Sequence, residues 1–104
     1  MSNVIETVKY ALVAGATEQD LIAATKQSQT FISSLPGFLY RSLSQHEETG
    51  TWTDVVYWNS IEEARAAGEQ FETSEDCKPL MSLIDPASLD MKHEVIKMSS
   101  CQTD

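Results

Sequence analysis

Asp54 and Trp58 stand four residues apart in TWTDVVYW, residues 51 to 58, a stretch that reads as a β-strand. At a period of two, Asp54 shares a face with Trp52, Val56 and Trp58. A carboxylate held among aromatic rings loses water, its pKa climbs, and it becomes a candidate general base. Other readings are an ion pair with Arg41 or Lys9 on a neighbouring strand, or a carboxylate facing water at a sheet edge; these are commoner. Arg41 shares a parity with Leu39 and Leu43 along its own stretch, which offers a further place for it, on the interface side of the sheet. His93, beside Met91 and Val95 in MKHEVIKM, is a second candidate acid or base near neutral pH, against the commoner case of a strand histidine satisfied by an oxygen. Tyr10, Tyr40 and Tyr57 read as core or interface aromatics, and His46 as a solvated turn residue.

Cys77 is a third kind of candidate. If Asp76 caps a helix, Cys77 is its first residue, where the dipole and Lys78 favour the thiolate while Glu75 and Asp76 oppose it. No histidine lies near in sequence to activate it, so a buried structural thiol is expected. Cys77 and Cys101 are too few for a disulfide framework and form no closely spaced pair, which fits a reducing compartment. Neither His46 nor His93 has a His or Cys three or four residues away, so no metal site is expected.

The elements that must position these residues follow from one chain of 104 residues, 41% of them hydrophobic, enough for a single domain over 1–104 with one core. Sixteen acidic against 7 basic residues give a formal net charge of -9, which repels phosphate backbones and anionic lipid. Neither nucleic acid nor a membrane is expected as partner. The start MSNVIETVKY lacks the basic and apolar regions of a signal peptide, and no apolar run approaches a membrane span, so a cytoplasmic protein is expected.

Residues 4 to 12 alternate weakly, with Val4, Val8 and Tyr10 in one parity, and read as a first strand. TEQD at Thr17 resembles a capping box and opens a helix whose stripe is Leu21, Ala24, Thr25, Ser28, Phe31, Ile32 and Leu35, ended by Pro36-Gly37. FLYRSLSQ (38–45) is a second strand, joined through HEETG to the third as an antiparallel hairpin. SIEE at Ser60 is a full capping-box pattern opening a helix to about Glu72, with Ile61, Ala64, Ala67, Gly68 and Phe71 inward. A short helix from Asp76 to Ile84, a last strand over 91–98 and a frayed tail over 99–104 complete the chain. The order βαββαβ predicts an α+β, ferredoxin-like domain, a four-stranded antiparallel sheet with its helices on one face.

That arrangement leaves the other face of the sheet bare. The third strand carries Val55 and Tyr57 there, beside Thr51 and Thr53, and the second offers Phe38 and Tyr40 on one parity, Leu39 and Leu43 on the other. An exposed apolar patch on the order of several hundred Å² is more than a soluble monomer usually tolerates, so a sheet-to-sheet homodimer is expected. The alternative is a central strand covered by the chain's own C-terminal tail. An RNA-binding domain of the same topology would need exposed aromatics on a basic surface, and the charge is wrong for it.

PGFLYRSL followed by GTWTDVVYWNSIEEA, the Trp-x-Ser step from strand into helix, and the short helix before a last strand resemble the dimeric α+β barrel superfamily. Within it the likeness is to antibiotic biosynthesis monooxygenase-like (ABM) domain proteins, from about Val4 to Met98. The resemblance implies a pocket between sheet and helices, with Trp58 at the position of a family tryptophan. Where the cofactor-independent phenol oxygenases carry an Asn four residues before this Trp and a Tyr about six after, this chain has Asp54 and Ala64. Where the haem degraders carry an axial His, it has Gly68, so haem lacks its ligand and no cofactor is expected. Lys78 falls near a cationic residue of some phenol oxygenases, a candidate for an anionic ligand group; Phe31 and Phe71 are candidate lining residues. The expected function is binding of a small aromatic or apolar molecule, with cofactor-free oxidation, at Asp54, Trp58 and His93. The alternative is a non-catalytic homodimeric binding or interaction module.

Overall fold

A computed structural model describes residues 3–100. Residues 101–104 of the expected tail, Cys101 among them, lie outside that range. Thr17 caps the first helix as expected: its hydroxyl accepts the Asp20 amide while the Asp20 carboxylate accepts the Thr17 amide. The chain runs β1 (Val4–Tyr10), α1 (Glu18–Ile32), β2 (Phe38–Gln45), β3 (Trp52–Trp58), α2 (Ile61–Thr73), α3 (Lys78–Leu83) and β4 (Asp90–Val95). The sheet order is β2-β3-β1-β4 with every neighbouring pair antiparallel, which is the expected ferredoxin-like fold. No helix is long and apolar enough to cross a membrane among the described residues.

Alternation on β3 is strict. Trp52, Asp54, Val56 and Trp58 are buried beneath the helices, while Thr53, Val55 and Tyr57 are half-buried on the face that no helix covers. The core has two lobes along this strand. Ile32, Leu35, Ala64 and Ala67 close over Val56 and Trp58, and Leu21, Ala24, Leu80 and Tyr10 close over Trp52. Asp54 lies at their junction. The small residues of α2 let its backbone approach the sheet, and Gly37 is required for a related reason. It has φ +86, and a Cβ there would collide with the Glu63 side chain.

Three local readings are corrected. A register shift between Phe38 and Tyr40 reverses the parity of β2, so Arg41 and Leu43 pair with Val56 and Asp54 on the helix side. Arg41 is therefore interior, not on the interface side. Phe38 also faces inward, and Tyr40 alone of the two reaches the uncovered face, edge-to-face with Tyr57 at 5.5 Å between ring centroids. The third helix starts later than expected: Ser74, not Asp76, caps a 3-10 turn over Glu75–Cys77, and α3 begins at Lys78 with Pro79 in its first turn. Ser74 wins because its shorter side chain accepts the Asp76 amide directly. The last strand stops at Val95, after which a single bond from the Ile96 amide to the Asn3 carbonyl continues the pairing.

Candidate functional site

Asp54 is held by Arg41. The Arg41 Nε donates to both carboxylate oxygens at 3.0 and 3.2 Å, and Nη2 donates to Oδ2 at 2.6 Å. Nη1 reaches across to α1 and donates to Ser28 Oγ at 2.9 Å and Gln29 Oε1 at 3.3 Å. The two side chains are 5% and 8% exposed. This is the pairing that competed with the general-base reading of Asp54, and a carboxylate forked by a guanidinium has its lone pairs occupied. Above the pair, the Tyr10 hydroxyl is buried with no hydrogen-bond partner, and its pKa is pushed up by burial first, then by the Asp54 charge, with Arg41 opposing. The Cys77 thiol is fully buried and also raised, again chiefly by burial. Cys77 is the N-cap of α3, yet its side chain makes no cap hydrogen bond, and burial outweighs the pull of the helix terminus toward a thiolate.

A second polar array forms one strand over. Val4 pairs with Trp58 and Glu6 with Val56, so Glu6 is the diagonal neighbour of Trp58 on the helix side of the sheet, within reach of a long side chain. Trp58 Nε1 donates to Glu6 Oε1 at 2.8 Å. On the other side Glu6 pairs with His93, and His93 Nε2 lies 3.5 Å from Glu6 Oε2, outside hydrogen-bonding geometry. Glu6 and His93 keep 12% and 24% of their side chains exposed, whereas Trp58 keeps 2% and packs edge-to-face on Phe38. The indole therefore acts through Glu6, which it holds in place. Glu6 and His93 are the groups that solvent can reach.

The surroundings of this array are apolar and open. Met91 and Val95, two residues either side of His93 on the same face of β4, are 49% and 48% exposed. Helix α2 rests one flank against Gly37 through Glu63, on the β2 side. Helical spacing turns its opposite flank, with Ile61 and Gly68, toward the β4 side. A Cβ at Gly68 would meet nothing within 4 Å, so the helix surface is unfilled there. The position at which the resemblance implies a haem ligand thus carries open space, and α2 has no histidine.

Of the residues singled out in sequence, the structure joins Trp58 and His93 through Glu6 and leaves Asp54 with Arg41. Phe31 and Phe71 are partly buried packing residues, Phe71 touching both lobes of the core. Lys78 is exposed and paired with Glu75. A separate open groove of about 480 Å³ between α1 and β2 is lined by Ile22, Thr25, Lys26, Leu43, Gln45 and Trp52, with none of those candidates in it. Among the described residues no three His, Cys, Asp or Glu side chains group closely enough to hold a metal ion. Glu6 escaped the sequence reading although a signal was present, since an acid occupies the parity of Val4, Val8 and Tyr10.

No protein-family model and no curated protein matches the sequence. Solved structures do match in architecture. SnoaB, a cofactor-independent oxygenase from Streptomyces nogalater, superposes with a TM-score of 0.77 at 12% identity, over 98% of this chain and 100% of that one. The monooxygenase from the gene ActVA-Orf6 of Streptomyces coelicolor, solved with Nanaomycin D, gives 0.73 at 19% over 97% and 93%. A candidate antibiotic biosynthesis monooxygenase from Bordetella bronchiseptica gives 0.75 at 20% over 90% and 96%. At these identities the likeness carries the architecture: the chain has the fold of the antibiotic biosynthesis monooxygenase-like proteins.

Proposed function

We propose that this protein binds a small aromatic or apolar molecule on the cleft between α2 and β4 and oxidises it without a cofactor. The observation that supports this reading is the Trp58–Glu6–His93 array, a buried acceptor and an imidazole presented side by side between exposed Met91 and Val95. In this reading His93 takes the proton of an acidic substrate hydroxyl, Glu6 balances the imidazolium that forms, and the electron-rich ring then meets oxygen itself. Trp58 positions Glu6. Asp54, neutralised by Arg41, has a structural role. The test is oxygen uptake with an oxidisable polycyclic phenol such as 1,8-dihydroxyanthrone, measured against its autoxidation without protein. A rate above that background that falls at least about a hundredfold in His93→Gln supports the reading, about a hundredfold being the smaller end of a general base's usual contribution. No rate above background removes catalysis.

A second reading is a non-catalytic homodimeric module. It is favoured by the row Ile5–Tyr57–Tyr40 across three strands of the uncovered face, with Tyr40 45% exposed. The homodimer is common to both readings: two such faces would stack about a twofold axis and remove that row from water.

A further inference from the structure

Of the four glycines in the chain, Gly15, Gly37 and Gly50 take positive φ. Gly68 does not. It lies inside α2 with ordinary helical dihedrals, and a Cβ there would meet nothing within 4 Å. Neither backbone strain nor close packing therefore requires glycine, although glycine weakens a helix interior relative to alanine. Nothing among the described residues offsets that cost, which places the reason for it outside the chain.

Its place in the fold says what the reason is. Ala67, the preceding residue, belongs to the lobe that covers Val56 and Trp58. Val56 pairs with Glu6 and Glu6 with His93, so Gly68, on the α2 flank turned toward β4, stands at the level of His93. Ile61 lies two turns earlier on that flank and is half-buried, while Arg65 and Glu72 lie further round toward solvent and are exposed. Met91 and Val95 border the opposite side at 49% and 48% exposure. Resting on the reading that a small aromatic or apolar molecule gives its proton to His93, we infer that Gly68 determines the size of ring system that the cleft accepts. The rings lie against the bare α2 backbone at Gly68, between Ile61 on the helix and Met91 and Val95 on the strand, and a side chain at this position takes the same volume. Gly68 is thus a specificity-determining residue that meets the ligand through backbone alone and takes no part in the proton transfer.

The experiment titrates wild type, Gly68→Ala and Gly68→Leu with 1,8-dihydroxyanthraquinone, a three-ring probe that consumes no oxygen, and with phenol, a one-ring probe, while the His93 ring protons are followed by NMR. Ala66→Leu, on the exposed face of the same helix, is the control for adding a large side chain to α2. Gly68→Ala should raise Tm by about 5 °C, the ordinary gain for alanine over glycine in a helix interior. Gly68→Leu should weaken the three-ring probe at least about tenfold, as overfilling a packed space does. Phenol binding in that variant, and both affinities in Ala66→Leu, should stay within about threefold of wild type. A Gly68→Leu protein that holds the three-ring probe as tightly as wild type, with His93 shifting, overturns the assignment of Gly68 and leaves the cleft standing. An equal loss in Ala66→Leu overturns it as well, and so does a Tm lowered by Gly68→Ala, since the chain itself would then need that space. Failure of both probes to shift His93 in the wild-type protein overturns both the assignment and the cleft beneath it.

Discussion

Removing Arg41 alone should be far more damaging than removing Arg41 and Asp54 together. Both side chains are almost wholly buried, at 5% and 8% exposure, and Arg41 makes bonds to Asp54, Ser28 and Gln29. Arg41→Met leaves the Asp54 charge without a partner between two apolar lobes, a loss of about 3–5 kcal/mol against a total stability of roughly 5–15 kcal/mol. With a urea slope of about 1.5 kcal/mol/M for a domain of this size, a loss of about 4 kcal/mol lowers the midpoint by roughly 2.5 M. The double variant Arg41→Met, Asp54→Leu places apolar groups of similar volume at both positions, and its stability should return to within about 1 kcal/mol of wild type or exceed it. Ser28 keeps a partner in either case, because its hydroxyl also donates to the Thr25 carbonyl at 2.7 Å. Urea unfolding of the three proteins, followed by tryptophan fluorescence and circular dichroism together, decides the matter. A single variant that loses less than about 1 kcal/mol, or a double variant as unstable as the single, would refute the claim that this pair is dry and mutually dependent.

Three further outcomes follow from the same structure. Tyr10→Phe removes a buried hydroxyl that has no partner and should raise stability by about 1 kcal/mol. Because the folded pKa of Tyr10 lies above its ordinary 10.0, the wild-type protein loses stability as pH rises past that value, and the variant should lose less. The raised Cys77 thiol contributes a remaining loss of the same sign from about its ordinary 9.0 upward, so alkaline unfolding curves of the two proteins should diverge only above about pH 10. Tyr57→Asp places a charge in the centre of the uncovered apolar row and should give monomer or insoluble protein by sedimentation; an unchanged soluble dimer would count against that face as the interface. Ser60→Ala deletes the hydroxyl that accepts the Glu63 amide at 3.2 Å and donates to its carboxylate at 3.1 Å. Its cost of about 1 kcal/mol should appear as a fall of about 5 °C in Tm.

Element types were legible in the sequence because they depend on neighbours a few residues away. Thr17 and Ser60 open helices through side chains that bond amides three residues on, and the period-two pattern of β3 gives its buried face from Trp52 to Trp58. The same local logic identified the HEETG hairpin, where the His46 amide meets the Thr51 carbonyl at 2.9 Å and Gly50 takes φ +74. Composition alone set the sign of the charge, and the connection order set the sheet.

What only the tertiary structure decided is which side chains face one another. One extra residue in the pairing of β2 with β3, between Phe38 and Tyr40, sends Arg41 inward to Asp54, and no parity count along β2 alone contains that shift. Trp58 and His93 lie 52 and 87 residues from Glu6 and meet it only because β1 lies between β3 and β4 in this register. An isolated strand states that Glu6 breaks an apolar parity, but the donor that satisfies one of its oxygens and the imidazole that faces the other are supplied by two different strands. Pairing across a sheet is a long-range equilibrium among registers, and the chain's local chemistry constrains it without naming its partners.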